Sequence, residues 1–465
     1  MKSISPFPLR RADLRARRAG IVFAVCAALA ASDIASAQRA TRGAAVREHW
    51  VASWATAQLL VPMNLGRPVG APPAAPAGAP GAVTAPPAAP AAPRPTPPPP
   101  IVPAPPIPAS FADQTIRMVV RTSLGGQRVR IALSQMLNAE PLEVGAAHIA
   151  LSKGKSAIDA ATGRALTFSG RTSVTVAPGT LVLSDPVDLT VAPLTDVAIS
   201  LYVPNDTGSP AIHRHAIRTT YVAKGNHAAA PSMPSDAETF VSYFWLSSLD
   251  VVAAPDAYTI ATLGDSITDG WATTVDANLA WPTLLAKRLA SDKRTKHVGV
   301  VNQGISGNQL LRNGAGVSML ARFDRDILAR PGVRWVVLLA GINDINFRSR
   351  AGSTTPLTPE ELIAGYEQII ERCHAHGIRI AGATITPQEG QTTATAAGEA
   401  IRQAVNTWIR TSGRFDAVVD FDAAIRDPAR PARMKAEFDP GDHIHPNDRG
   451  NEAMAAAFDL ALFAR

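Results

Sequence analysis

From Tyr258 onward, short apolar runs alternate with longer stretches of helical character, and this alternation constrains the fold more than any other feature. Tyr258–Leu263, His297–Asn302, Trp335–Ala340, Ile378–Thr384 and Ala417–Asp420 read as strands. Trp281–Ser291, Met319–Leu328, Pro359–His376, Ala397–Thr411 and Asp448–Leu462 read as helices. Such alternation predicts a doubly wound parallel sheet covered on both faces. Ligands of such sheets bind in the crevice at the carboxyl ends of the strands.

The region before Tyr258 has a different period. Ile116, Met118 and Val120 alternate with Arg117 and Arg121. After Gly125-Gly126, Val129, Ile131 and Leu133 alternate with Arg128 and Arg130, which predicts a hairpin with a solvated arginine face. Further strands are expected at Leu166–Phe168, Val174–Val176, Leu181–Leu183 and Val197–Val203, with turn signals about every ten residues, as in a β-sandwich or jelly roll. Upstream, Trp50, Ala52 and Trp54 alternate like a strand. Gly70–Pro108 is almost wholly Ala, Pro and Gly, with seventeen prolines, and reads as an extended linker or insertion.

The N-terminus reads as a secretory leader. Five arginines (Arg10, Arg11, Arg15, Arg17, Arg18) precede an apolar run, Ala19–Ala31, and Ala35-Ser36-Ala37 gives a small-residue cleavage pattern before Gln38. The run is shorter than the ~20 residues a spanning helix needs. Removing residues 1–37 takes six basic and two acidic residues, so the net charge of +7 falls to +3. No nucleic-acid reading follows from that charge. Only Cys373 is left after cleavage, so no intrachain disulfide can form. The expected division is leader 1–37, N-terminal segment 38–69, Ala/Pro segment 70–108, β-rich region 109–252 and α/β region 253–465.

Three strings fall at or after expected strand ends: Gly264-Asp265-Ser266, Gly341-Ile342-Asn343-Asp344 and Asp442-His443-Ile444-His445-Pro446. Their order suits a nucleophile, an oxyanion donor, and an Asp/His pair three residues apart. A serine hydroxyl attacks only when a base takes its proton. His445 is the candidate base, and Asp442 the group that holds its tautomer. The backbone N–H groups of Ser266 and Gly304 and the side-chain amide of Asn343 are candidate oxyanion donors. Alone, Gly-Asp-Ser also reads as a turn. His443 with His445 also reads as a metal pair, one that lacks a third clustered ligand. Thr268 stands where Gly-x-Ser-x-Gly needs its second glycine, so the nucleophile elbow of α/β-hydrolases is absent.

Taken together the strings resemble the SGNH, or GDSL, hydrolase superfamily, in its secreted bacterial members with a β-rich domain before the catalytic one. The matching positions are Ser266, Gly304, Asn343 and His445, and Ile267 replaces the leucine of the GDSL name. The resemblance implies a flavodoxin-like three-layer α/β/α domain, acyl-ester hydrolysis, and neither metal nor cofactor. The expectation is therefore a secreted or periplasmic serine esterase. Its catalytic residues would be Ser266, Asp442 and His445, and its oxyanion hole Ser266, Gly304 and Asn343. Its substrate would be a small-molecule or carbohydrate ester with a short acyl group, with no nucleic-acid partner and no stable membrane insertion once the leader is gone. The alternatives are a lipase or phospholipase acting on longer chains, and a glycan-binding protein that no longer catalyses.

Overall fold

Five parallel strands form the framework: β1 (Tyr258–Gly264), β2 (Val298–Gly304), β3 (Val333–Leu339), β4 (Arg379–Ala383) and β5 (Ala417–Val419). Their spatial order is β2-β1-β3-β4-β5, the 2-1-3-4-5 order of a doubly wound sheet that reverses direction at β1. All seven residues of β1 are buried, as are the last five of β3. Such continuous apolar runs are what a sheet covered on both faces requires. This computed structural model describes residues 48–59, 107–349 and 352–464. The expected leader and the Ala/Pro segment as far as residue 106 lie outside them.

The helices form for local reasons. In Pro359–Ala375, Thr358 caps the N-terminus by accepting from Glu361 N–H, and Pro359 occupies the first helical position. Leu362, Tyr366, Ile369, Ile370 and Cys373 then bury one face. Two expected helices are shorter than their sequence periods suggest. Met319–Leu328 is an α-turn, Met319–Phe323, followed by a π-helical turn, Asp324–Leu328, where Arg322 and Arg325 hold the buried Asp326 carboxylate. Asp448–Leu462 stops at Ala456 and resumes as a 3₁₀ turn, Leu460–Phe463. Between them Phe458 is drawn inward to stack on Trp281, with ring centroids 5.6 Å apart.

Besides two two-stranded sheets, the β-rich region contains two large antiparallel ones. In one, the order is Trp50–Ala55, Leu246–Val252, Gly126–Ser134, Val187–Val191. In the other it runs Glu238–Phe240, Thr220–Lys224, Gln114–Arg121, Asp196–Val203, Ala146–Gly154, Ala157–Ile158. Ile116, Met118 and Val120 from one sheet share a core with Val129, Ile131 and Leu133 from the other. The expected hairpin is therefore a correction: Gln114–Arg121 and Gly126–Ser134 lie in different sheets. Gly125 and Gly126 serve close approach instead. A Cβ there would sit 2.7 Å from Val191 O and 2.5 Å from Val252 O respectively. The solvated arginine face is corrected at Arg117, while Arg121, Arg128 and Arg130 stay partly exposed. Arg117 is fully buried, and its guanidinium donates to Ser200 Oγ and to the carbonyls of Ser156, His227, Ala228 and Ala230.

Strand Trp50–Ala55 lies at the seam between the two regions. It pairs with Leu246–Val252, yet Ala52 and Ala55 belong to the core of the α/β region. Thr259 Oγ1 of β1 donates to Ala52 O at 2.7 Å. The residues from Trp50 onward form one compact unit.

Candidate active site

The carboxyl ends of β1, β2 and β3 carry the polar cluster. Ser266 is the first residue of a four-residue helix, α1 (Ser266–Asp269), directly after β1. Asp265 caps it by accepting from Ile267 N–H. The turn folds so tightly over the strand that a Cβ at Gly264 would lie 2.1 Å from Thr268 Oγ1. Glycine is therefore required there. The turn ends at Gly270, whose φ of 107° is left-handed.

The segment before α2 (Asp448–Ala456) brings the candidate base, His445. Asp442 Oδ1 accepts the N–H groups of Ile444 and His445 at 3.1 and 3.0 Å. Its Oδ2 accepts His445 Nδ1–H at 2.6 Å. His445 Nε2 in turn lies 2.8 Å from Ser266 Oγ, placed to accept the hydroxyl proton. Burial alone would raise the Asp442 pKa. The bond and charge of His445 and the two backbone amides hold it below the ordinary carboxylate value, so Asp442 remains an acceptor. His443 is held by a different carboxylate, Asp439 Oδ2, at 2.5 Å. Among the described residues no three His, Cys, Asp or Glu side chains cluster as a metal site.

Asn343 follows β3 in the helix Ile342–Arg348, and its Nδ2 donates to Asn308 O at 3.0 Å. The neighbouring Asp344 carboxylate accepts Leu310 and Leu311 N–H at 2.8 and 3.0 Å. Burial pushes its pKa up to about 6. The loop after β2 is thus held by consecutive side chains at the end of β3. Buried Arg322 adds a third tie, donating to Gly264 O and Asn308 Oδ1, both at 3.0 Å.

Gly304 is not placed as the sequence suggests. Its N–H donates to Asn302 Oδ1 at 2.9 Å, so it is already engaged. A Cβ at Gly304 would meet Asp269 N at 2.4 Å, so this glycine serves close packing of β2 against α1. The N–H without a hydrogen-bond partner among the described residues is that of Gly307, whose φ is 78°. Ser306, just before it, is tied to Asp269, and Asn308, just after it, to Asn343. The sequence offers both glycines at the same strand end, and only the hydrogen-bond pattern separates them.

Several neighbours carried no sequence signal. Trp271 packs beside His445, with ring centroids 5.7 Å apart, and His215 meets Trp271 edge-on at 4.4 Å. Burial lowers the His215 pKa to about 4, so that ring is neutral. Arg348, after Asn343 in the same helix, donates to the carbonyls of Thr355 and Pro356. Arg350 lies outside the described residues.

Asp265 gives a test by pH. Burial raises its pKa to about 7, and its Oδ2 has no hydrogen-bond partner. The native protein therefore keeps a proton that the unfolded chain releases from about pH 4 upward. Stability is lost as pH rises from about 4 to about 7, and above that a buried charge persists. Asp265→Asn retains a capping oxygen and should raise the stability at pH 8 by an amount of the order of 2 kcal/mol. A lower urea midpoint for the variant at pH 8 would contradict this.

The region is thus a doubly wound α/β domain with a polar cluster at the carboxyl edge of its sheet. Residues 262–453 match the profile of the GDSL-like lipase/acylhydrolase family. Similar solved structures include a GDSL-like lipase from Bacteroides thetaiotaomicron VPI-5482 (19% identity, 44% of this chain and 87% of that one, TM-score 0.32). Another is an alpha/beta hydrolase enzyme from the metagenome of Lake Arreo, Spain (24%, 45% and 96%, TM-score 0.34). A third is a catalytic mutant of an acetylxylan esterase from Geobacillus stearothermophilus (20%, 46% and 95%, TM-score 0.35). No curated protein matches the chain. The match over residues 262–453 supports a carboxylic ester hydrolase.

Proposed function

We propose that this chain is an exported serine esterase that works through an acyl-enzyme. Ser266 attacks the ester carbonyl. His445 takes the hydroxyl proton and returns it to the leaving alcohol, then repeats both roles with water. Asp442 holds the imidazole tautomer. The tetrahedral oxyanion is met by Ser266 N–H, Asn343 Nδ2 and, in place of Gly304, Gly307 N–H. The observation that carries this reading is the continuous Ser266–His445–Asp442 chain, with links of 2.8 and 2.6 Å. Export rests on the leader composition. No helix among the described residues is long and apolar enough to cross a membrane.

The acyl group is proposed to be short, acetyl to butyryl, as in acetylated sugars. The loop after β2 and the end of β3 carry small or polar residues: Gly304, Ser306, Gly307, Asn308 and Asn343. A long chain would need a continuous apolar groove, since each buried methylene contributes only about 0.8 kcal/mol. With Arg348 engaged elsewhere, the Trp271 ring beside His445 is the face offered to the alcohol part. Initial rates over p-nitrophenyl esters of two to sixteen carbons test this. kcat/KM should peak at four carbons or fewer, and a maximum at twelve or more would favour a lipase.

A further inference from the structure

A side chain of the β-rich region reaches the catalytic turn. His213 lies in the two-residue strand Ile212–His213, paired with Tyr243–Phe244, and is almost wholly buried. Its Nδ1 is 2.7 Å from Ala57 O, and its Nε2 is 2.8 Å from Asp269 Oδ1. A carbonyl and a carboxylate only accept, so both ring nitrogens must donate and the ring is an imidazolium. Burial works against that charge, but Asp269 and the Ala57 carbonyl raise the His213 pKa above its ordinary value.

Asp269 closes α1, three residues after Ser266. Its other oxygen, Oδ2, accepts Ser306 N–H at 3.1 Å and Ser306 Oγ–H at 2.7 Å. Asn302 adds a parallel link, with Nδ2 donating to Thr268 O at 2.8 Å and Oδ1 accepting Gly304 N–H. The Asp269 carboxylate is thus fixed on one side by the β-rich region and holds, on the other, the residue next to Gly307.

We propose that His213 and Asp269 are positioning residues for the oxyanion hole: a buried ion pair through which the β-rich region sets the Ser306–Gly307 turn against the Ser266 helix. The proposal rests on the acyl-transfer reading above. Neither residue touches the substrate. A displacement of about 1 Å in a catalytic group costs about 10²-fold in rate, so a brace of this kind acts on turnover and leaves ground-state binding alone.

The experiment uses the full-length protein and p-nitrophenyl acetate. Asp269→Asn preserves size and leaves a neutral pair with His213. It should lower kcat by about 10²-fold with KM changed by less than about twofold. Inhibition by a short alkyl boronic acid, whose tetrahedral adduct occupies the oxyanion hole, should weaken in parallel with kcat. His213→Gln places an amide nitrogen near the Nε2 position and should retain more turnover than His213→Leu. A folded Asp269→Asn protein with kcat within about twofold of the parent, or one that loses KM but keeps kcat, overturns the proposal. If Asp269→Asn does not fold, Ser306→Ala decides. It removes one of the two Ser306 bonds and should cost about tenfold in kcat, and an unchanged kcat overturns the brace. An active Ser266→Ala protein would instead refute the serine mechanism itself, so the two failures are distinguishable.

Discussion

Ser266→Ala is expected to reduce kcat by about 10⁴-fold or more, with the fold intact. The hydroxyl is bonded to His445 Nε2 alone, and no core contact depends on it. The backbone of α1 is held independently, by the Asp265 cap and by the Asp269 and Gly270 N–H bonds to Asp265 O and Ser266 O. Removing the oxygen therefore deletes the covalent step while leaving the oxyanion donors in place. A small residual rate should survive from those donors and from binding. The measurement is single-turnover hydrolysis of p-nitrophenyl acetate, with a fluorophosphonate probe to report covalent capture. The parent should be labelled and the variant should not. Turnover near that of the parent in a purified variant sinks the Ser266 assignment.

Asn343→Ala should cost about 10²–10³ in kcat, the scale of one lost oxyanion donor, with little change in KM. One hydrogen of Asn343 Nδ2 is committed to Asn308 O, which fixes the amide plane. The other hydrogen is left for the developing oxyanion. A neutral ester carbonyl gains little from this donor, and the tetrahedral anion gains much, so the loss appears in turnover rather than affinity. Asp344 still holds Leu310 and Leu311, so the loop should stay in place. A variant that raised KM but kept kcat would move Asn343 to substrate binding.

The parts of this fold legible in the sequence are those fixed by local pattern. The five strands of the parallel sheet and the long helices follow apolar periodicity, because burial on both faces demands it. Ser266 and Asn343 stand in short strings directly after a strand, where topology makes a crevice, and Asp442 and His445 stand three residues apart in one string; the structure brings Ser266, His445 and Asp442 into one hydrogen-bonded chain. The misread features depend on partners distant in sequence. Arg117 alternates like a surface residue, yet its five acceptors lie between 39 and 113 residues away. Gly304 and Gly307 look equivalent until Asn302, Asp269 and Asn343 claim the groups around them. Gly125-Gly126 has the composition of a hairpin turn but lets the chain cross between two sheets. His213 gave no signal, since its partners are Ala57, 156 residues before it, and Asp269, 56 residues after it.

Strand Trp50–Ala55 has a consequence for how the protein is made. It emerges early in synthesis, yet its hydrogen-bonding partner, Leu246–Val252, follows almost two hundred residues later. Ala52 also accepts from Thr259 and donates to Pro331 O. Until Pro331 has been synthesised, this strand has no complete site to occupy. Contacts of such separation fold slowly, because loop closure precedes any gain from pairing. The chain is therefore built to remain unfinished for most of its synthesis. That delay makes the last third of the sequence the step that locks the first strand in place.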